Sequence, residues 1–230
     1  MTRCRSFLFL LAALLTGLAC SRPRPAPQAP VAAIQVDVIS LPGRSDLFLK
    51  DQPLGTTPQT IRVPTMDALL DLTASAGNQQ VVEERIRVLA EDHAEVLFVF
   101  GTGPSELAKA LGLAKILVFD YGAGVTFDLD KAELRPDFLP LLERQAALLT
   151  SRFAGLDVYV CGHTDATGGQ EHNLALSLAR AKSVAEVLGA RGVARDHLIV
   201  QGFGSSYPVA SNEDESGRAR NRRTEVVLPR

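Results

Sequence analysis

The stretch from Leu156 to Leu188 constrains the fold of this chain more than any other part of the sequence. The apolar run Leu156 to Cys161 predicts a strand, Gly162-His163-Thr164-Asp165 predicts a polar corner, and Glu171 to Leu188 has the spacing of a helix. The apolar face of that helix would consist of Leu174, Leu178, Ala181, Ala185 and Leu188. A strand that leads through a short corner into a long helix favours an α/β architecture.

Polar residues form a second stripe on the same predicted helix. Asn173, Ser177 and Arg180 are spaced i, i+4, i+7 and therefore share one side of it. Asp165, at the strand exit, can face the first turns of the helix. An acid and a guanidinium held apart across such a corner suit a zwitterion, and the sequence predicts a binding site here. The alternatives are structural: Asp165 as a turn or capping residue, and Arg180 as a surface ion-pair residue.

The rest of residues 115–230 also alternates between strand and helix patterns. Apart from the central unit, the predicted elements are strands Ile116 to Tyr121 and Val125 to Asp128, helix Pro136 to Leu149, and strands Leu198 to Val200 and Thr224 to Leu228. This βαβαββ order predicts an α/β (α+β) sandwich in which both helices pack on one face of a mixed sheet.

Residues 33–101 have a different pattern, with several short strands separated by turn residues. They predict a small all-β sandwich domain, with a strand expected at Leu70 to Thr73, and residues 102–114 predict a connecting helix that starts near Pro104. The order of Val36-Asp37-Val38, Ser40-Leu41-Pro42 and Gly55-Thr56-Thr57-Pro58 resembles a PEGA-like surface module. An unspecified β-sandwich spacer is the alternative.

The N-terminus predicts export from the cytoplasm. Arg3 and Arg5 precede the apolar run Phe7 to Leu15, which is too short to span a bilayer, and small residues lead to Ala19-Cys20. Residues 1–19 are therefore expected to be a signal peptide. The cleavage region resembles a bacterial lipobox, which implies lipidation (palmitate included) of Cys20 and anchoring in the outer membrane of a Gram-negative cell, facing the periplasm. Residues 20–32 are rich in proline and predict an extended linker.

Charge and cysteine content exclude some classes of function. The chain has 24 Lys and Arg against 26 Asp and Glu, for a net charge of −2, so no nucleic-acid partner is expected. With Cys4 in the signal peptide and Cys20 lipidated, Cys161 is left without a disulfide partner. Its apolar strand predicts a small buried hydrophobe.

Five ordered motifs identify a resemblance that covers about half the chain. They are Val125 to Pro136, Gly162-His163-Thr164-Asp165, Asn173 with Leu176 to Ala181, Gly202-Phe203-Gly204, and Asn221 to Val226. Residues 115–230 resemble the OmpA-like peptidoglycan-binding domain, the fold shared with peptidoglycan-associated lipoproteins. The resemblance implies noncovalent binding of the peptide stem of peptidoglycan, at the end of meso-diaminopimelate that carries an ammonium and a carboxylate on one carbon.

The resemblance also implies roles for individual residues. Asp165 would accept hydrogen bonds from the ammonium, and Arg180 would present its planar fork to the carboxylate. The other candidates are Asn173, Thr164, Phe127, Asp128, Arg222 and Arg223. Asn173 either orients the stem or supports the start of the helix, and Phe127 either walls the site or belongs to the core. Only one of the two arginines is expected to face the site, and the sequence leaves open which.

An enzyme is the competing class of function. His163, Asp165 and His172 superficially resemble metal ligands, but no Glu-x-x-His element or His pair at i, i+4 accompanies them, and Cys161 has no base partner. We therefore expect a non-catalytic protein without metal or cofactor that tethers the outer membrane to the cell wall. The alternative is an envelope-assembly scaffold for secretion or motility, in which residues 33–101 bind a protein partner while the C-terminal domain anchors it to the wall.

Overall fold

The computed structural model describes residues 33–90, 92–122 and 126–230. The predicted signal peptide, Cys20 and the whole proline-rich linker lie outside these ranges. None of the helices in the described ranges has the length and apolar character needed to cross a membrane.

The described residues form eleven strands, four α-helices and three short 3-10 helices. The strands are β1 (Ile34–Leu41), β2 (Asp46–Leu49), β3 (Gln52–Thr56), β4 (Gln59–Val63), β5 (Leu72–Ser75), β6 (Gln80–Ala90), β7 (His93–Gly101), β8 (Ile116–Gly122), β9 (Val158–His163), β10 (Leu198–Gly202) and β11 (Arg223–Pro229). The α-helices are α1 (Glu106–Ala110), α2 (Leu139–Arg152), α3 (Gln170–Ala190) and α4 (Glu215–Asn221), and the 3-10 helices are Met66–Asp71, Pro136–Phe138 and Arg195–His197.

One large sheet organises the molecule. It has eight strands in the order β10-β9-β11-β8-β6-β7-β1-β4, and a separate sheet has three strands in the order β3-β2-β5. The large sheet is mixed: β9 and β10 are parallel neighbours joined through α3, whereas β11 is antiparallel to both β8 and β9. The predicted α/β class with a mixed sheet is confirmed.

Helices α2 and α3 pack on the same face of the C-terminal half of the sheet, as the sequence predicts. Leu142 and Leu149 of α2 and Val184 and Leu188 of α3 share one buried cluster with apolar residues of β9 and β11. On the opposite face, α1 covers a smaller cluster that contains Cys161. Burial raises the pKa of the Cys161 thiol, so this cysteine is a small buried hydrophobe, as expected.

The N-terminal strands join the same large sheet. Alternate residues of β1 are buried, which agrees with the period-2 pattern of its sequence, and the three-stranded sheet contributes Leu47 and Leu72 to the same core. Strand β6 pairs in parallel with β8, in a register that runs from Glu83 opposite Ile116 to Val88 opposite Tyr121. Strands from the two halves of the sequence therefore lie side by side in one hydrogen-bonded sheet.

Three local predictions differ from the structure. Leu70 and Asp71 end the 3-10 helix Met66–Asp71, and the strand begins only at Leu72. The predicted strand Val125 to Asp128 is reduced, within its described residues, to a single bridge between Phe127 and Leu134. Helix α4 was not predicted, although Asp214 caps it by accepting a hydrogen bond from the Gly217 amide at 2.6 Å, which is a recognisable sequence signal.

Two glycines let α3 lie directly on the sheet backbone. A Cβ atom at Gly162 would collide with the backbone carbonyl of Ser177, and one at Gly202 would lie 2.6 Å from the backbone nitrogen of Leu178. Real Cβ atoms do not approach backbone atoms that closely, so only glycine is compatible with this packing. The start of α3 is thereby held against the ends of β9 and β10.

A buried cluster of charges joins β6 to the C-terminal half of the sheet. Arg85 of β6 contacts Glu83 at 2.8 Å, Asp120 of β8 at 3.3 Å and Glu225 of β11 at 2.5 Å. All four side chains are almost completely buried. Burial of unpaired charges is costly, so each carboxylate depends on the guanidinium beside it.

Glu225 is the centre of this cluster. Its carboxylate also accepts a hydrogen bond from Arg223 at 2.6 Å and contacts His163 at 3.2 Å. Burial by itself would raise the pKa of Glu225, but Arg223, Arg85 and His163 outweigh burial and hold the pKa well below its usual range. Burial lowers the pKa of His163, in spite of the opposing charge of Glu225.

Replacement of Arg85 by Met is expected to lower the free energy of unfolding by about 3–5 kcal/mol, because three buried carboxylates lose their shared cation.

Stability of the unmodified protein should also decrease on acidification. The unfolded chain takes up a proton at His163 below about pH 6.5 and at Glu225 below about pH 4.5, where the folded protein does not. Urea unfolding between pH 8 and pH 4 would measure both effects. Arg62→Met, at an exposed position of edge strand β4, is the matched control for Arg85→Met. Equal free energies of unfolding for these two variants would contradict the role of Arg85 as the shared cation of the buried cluster.

Candidate functional site

Asp165 lies just beyond the end of β9 and is only 5% exposed. Its Oδ1 accepts hydrogen bonds from the backbone N–H of Thr167 at 2.8 Å and from the Thr167 hydroxyl, and its Oδ2 accepts one from Arg222 Nη1 at 2.6 Å. Burial would raise the pKa of this carboxyl, but the hydrogen bonds from Thr167 and Arg222 outweigh burial and lower it. Asp165 is therefore held as a carboxylate.

The polar stripe of α3 is turned towards the interior. Asn173, Ser177 and Arg180 are all buried, whereas Leu174, which the sequence placed on the apolar face, is 51% exposed. The apolar face of the helix is buried only further along, from Ala181 onwards. The first turns of α3 thus present polar groups to the corner that follows β9.

Arg180 is fixed by the loop that contains the Phe127 bridge. Its guanidinium lies over the Phe127 ring, 5.2 Å from the ring centroid, in a cation–π contact. Its Nε donates to the Lys131 carbonyl at 2.8 Å and its Nη2 to the Asp128 carbonyl at 3.4 Å. Among the described residues, Nη1 has no hydrogen-bond acceptor.

The charges of the corner act on one another. Burial lowers the pKa of Arg180, Arg222 lowers it further, and Asp130 and Asp165 oppose the shift. Two cations and a carboxylate are thus close enough to interact, and the region around Asp165 and Arg180 contains both signs of charge.

The structure distinguishes the two candidate arginines. Arg222 connects Asp165 to Glu215 of α4, with Nη2 to Glu215 Oε1 at 2.5 Å, and keeps 23% of its side chain exposed. Arg223 instead belongs to the buried cluster around Glu225 and donates to the Tyr207 carbonyl at 3.0 Å. Arg222, at the end of α4, is therefore the arginine at the corner. The prediction that Arg223 is a site residue is not supported, because its side chain is used by Glu225 and the Tyr207 carbonyl.

Asn173 and Thr164 have structural contacts at the same corner. The Asn173 amide donates to the Thr167 carbonyl at 2.8 Å and to the Asp165 carbonyl at 3.4 Å, so it holds the loop that carries Asp165. Thr164 donates its hydroxyl to the Asp165 carbonyl at 2.9 Å. Of the two roles open for Asn173, support of the helix start is the one these contacts describe.

Phe127 and Asp128 occupy the other side of the corner. Phe127 is buried in the main core and contacts Arg180 through its ring face. Asp128 is exposed, pairs with Lys131 at 3.2 Å and offers its backbone carbonyl to Arg180. Phe127 therefore serves the core and the corner together, and Asp128 forms part of the rim.

Several residues that shape the corner were not predicted. Thr167 supplies two of the hydrogen bonds to Asp165, and Glu215 holds the second end of the Arg222 guanidinium. Asn221 is completely buried and fixes the preceding loop by accepting from the Val209 and Ala210 amides at 2.9 and 3.0 Å. The position of Asn221 directly before the two arginines was the available signal, but its backbone contacts depend on the tertiary structure.

The two histidines near the corner are paired with other carboxylates. His163 is buried, contacts Glu225 at 3.2 Å and stacks on Phe203, with ring centroids 5.4 Å apart. His172 is exposed and pairs with Asp130 at 2.7 Å. In the described ranges, no three His, Cys, Asp or Glu side chains are grouped closely enough to hold a metal ion.

Comparison with known proteins places this corner within a matched region. The OmpA family model matches residues 126–222. The peptidoglycan-binding protein ArfA of Mycobacterium tuberculosis is 44% identical over 126 residues, which cover 55% of this chain and 38% of ArfA. The peptidoglycan-associated lipoprotein of Rhizobium meliloti is 32% identical over 179 residues, which cover 77% of this chain and 95% of that protein.

A similar solved structure is the cell wall anchor of the T6SS from Pseudomonas aeruginosa. Its sequence is 36% identical to this chain. The match covers 48% of this chain and 79% of the anchor's chain, with a TM-score of 0.44. The chain spans well under two thirds of the length of ArfA.

Replacement of Arg222 by Ala is expected to raise the pKa of Asp165 towards its ordinary value, because one hydrogen bond and one positive charge are lost while Thr167 remains. A pH titration of the Asp165 carboxyl carbon by NMR would measure the shift. Arg220→Ala is the control, since Arg220 is exposed and pairs with Glu95 at 3.8 Å. An unchanged Asp165 pKa in the Arg222 variant would show that the ion pair does not form in solution.

Proposed function

The chain belongs to the OmpA family, and on that premise we propose that it binds peptidoglycan noncovalently and makes no chemical change to it. Two of its relatives are a peptidoglycan-binding protein and a peptidoglycan-associated lipoprotein. The family match includes the whole corner around Asp165, Arg180 and Arg222. The observation that carries the proposal is the buried Asp165 carboxylate, which is paired with Arg222 and within electrostatic reach of Arg180.

The proposed ligand is the free end of meso-diaminopimelate in the peptide stem, where one carbon carries an ammonium and a carboxylate. A carboxylate has about four lone-pair sites, and Asp165 uses three of them: two on Oδ1 for Thr167 and one on Oδ2 for Arg222. The remaining site on Oδ2 can accept the ammonium. The low pKa of Asp165 keeps that acceptor charged at neutral pH.

The ligand carboxylate is assigned to Arg180. Two nitrogens of its guanidinium are used by the Lys131 and Asp128 carbonyls, which fix its plane and leave Nη1 for the ligand. A guanidinium held in this way loses little freedom when it binds, so a larger share of the interaction contributes to affinity. Arg222 adds positive potential nearby, and Phe127 closes the site beneath Arg180.

Co-sedimentation with purified sacculi tests the proposal. The chain from residue 20 onwards, with Cys20 replaced by Ser so that it is soluble, is compared with Asp165→Ala and Arg180→Ala in the same background. Each variant is expected to bind roughly ten-fold to a hundred-fold more weakly, because a charge-assisted hydrogen bond contributes about 1.5–3 kcal/mol. Sacculi whose stems contain lysine, which lacks the second carboxylate, should bind the unmodified protein weakly.

Two exposed residues of the same types serve as controls. Asp137→Ala and Arg220→Ala change exposed residues outside the corner and should leave sedimentation unchanged. Circular dichroism must show that all four variants are folded. If folded Asp165→Ala and Arg180→Ala proteins sediment like the unmodified protein, the assignment of the site is wrong.

We further propose that Cys20 is lipidated, after removal of residues 1–19, and anchors the protein in an outer membrane. The proline-rich residues that follow would then act as a spacer between the membrane and the folded part. Expression of the full-length chain with Cys20→Ser should move the protein from the membrane fraction to the soluble periplasmic fraction. Unchanged membrane association of that variant would contradict the anchor.

The alternative, an envelope-assembly scaffold whose PEGA-like residues 33–101 bind a protein partner, stays a prediction of the sequence. It uses the same wall-binding corner and differs only in what the N-terminal strands contact. Capture of one defined protein by the folded chain, lost when exposed Leu41 is replaced by Asp, would favour it over a simple tether.

A further inference from the structure

A second concave region lies on the helix-covered face of the sheet. It is a groove of about 680 Å³ between α2, strands β6 and β8, and the 3-10 helix Met66–Asp71. It shares no residue with the corner around Asp165. Its volume falls in the range of roughly 300–1,000 Å³ that is typical of small-molecule sites.

The walls of the groove are mainly aliphatic and aromatic. They include Leu69, Ile86, Phe119, Phe138 and Leu148, all buried. Met66 and Leu141 line it as well and are partly exposed. A space with such walls holds water poorly and gains free energy when an apolar group fills it.

One buried polar pair interrupts this apolar lining. The Tyr121 hydroxyl donates to Gln145 Oε1 at 2.7 Å, and both residues line the groove. The other end of the same amide, Gln145 Nε2, is buried without a hydrogen-bond partner in the described structure. A buried amide donor left unpaired costs about 1–3 kcal/mol, so an acceptor that reached Gln145 Nε2 from the groove would be stabilised there.

A cation lies near this polar end. Burial raises the pKa of Tyr121, and the positive charge of Arg144 opposes that shift, which places Arg144 within electrostatic reach of the Tyr121 hydroxyl. Arg144 is exposed on the rim and forms no ion pair with any described acidic residue. Asp67 and Asp137 also lie on the rim, and Asp137 pairs with Arg135 at 3.4 Å.

We propose that this groove binds a single acyl chain, with the alkyl part along the apolar walls and the acyl carbonyl or carboxyl oxygen at Gln145. An acyl group has one polar end and an apolar remainder, as the groove has one polar pair and apolar walls. Its oxygen supplies the acceptor that Gln145 Nε2 lacks, and Arg144 favours a head with negative charge. Free fatty acids and singly acylated lipids both have this chemistry.

Calorimetric titration distinguishes these sources from non-specific binding of hydrocarbon. The Cys20→Ser chain from residue 20 onwards is titrated with dodecanoate, with lauroyl-lysophosphatidylcholine and with dodecyltrimethylammonium, all below their micellar concentrations. At least one of the two acyl ligands is expected to bind ten-fold or more tightly than the ammonium compound, which has the same chain without an acceptor. The acyl ligand that binds identifies the source. Equal binding of all three compounds, or no binding of either acyl compound, would overturn the proposal.

Variants on α2 test where the chain lies. Leu141→Trp fills the groove from a partly exposed position and should weaken acyl binding by ten-fold or more, and Ala147→Trp blocks it from the exposed rim without changing the core. Glu143→Trp, exposed on the same helix outside the groove, is the matched control and should bind normally. Normal acyl binding by folded Leu141→Trp and Ala147→Trp proteins would also overturn the proposal.

A double variant tests the polar contact. Tyr121→Phe with Gln145→Leu removes both partners together, which is tolerated better than leaving one of them unpaired. Its preference for dodecanoate over dodecyltrimethylammonium should fall several-fold, to the part that the charge of Arg144 supplies, and an undiminished preference would exclude Gln145 as the contact. Sacculus binding by all of these variants should equal that of the unmodified protein, so this test is independent of the wall-binding site.

Discussion

The contact between Arg85 and Glu225 connects the two halves of the large sheet. Glu225 is completely buried on β11 and lies next to the binding corner in sequence, while Arg85 comes from β6, far earlier in the chain. A carboxylate so deeply buried requires positive charge beside it, and Arg85 and Arg223 supply that charge. The parallel pairing of β6 with β8 brings Arg85 into place. The N-terminal strands therefore complete the electrostatics of the C-terminal half as well as extend its sheet.

Neighbouring residues of the binding corner have different partners. Arg222 and Arg223 follow one another, yet the first pairs with Asp165 and the second with Glu225. Asp165 is kept charged by Thr167 and Arg222, and Arg180 is oriented by backbone carbonyls rather than by acids. Because no acidic side chain within 4 Å neutralises Arg180 among the described residues, its charge remains available to an anion.

Local sequence patterns predicted most elements of the C-terminal half, because the apolar residues of a strand or helix with one buried face recur at the spacing of that element. They predicted Asp165 and Arg180 as a pair through spacing and resemblance. The same patterns could not show that β6 lies beside β8, since strand pairing across the chain leaves no trace in the period of either strand. The sequence left the choice between Arg222 and Arg223 open for a related reason: Arg222 caps the end of α4 and Arg223 begins β11, and only tertiary contacts decide which carboxylate each one meets.

Helix α3 lies against the sheet backbone at Gly162 and Gly202, and this contact limits how the binding corner can differ among related chains. The separation between the end of β9 and the first turns of α3 is set by main-chain atoms, so no exchange of side chains at that contact can widen or narrow it. Asp165 follows β9 and Arg180 lies on α3, so the distance between their main-chain positions is fixed as well. Related chains that recognise a different ligand must obtain the difference from the loops around the corner, chiefly residues 128–131 and 166–169, and leave the frame unaltered.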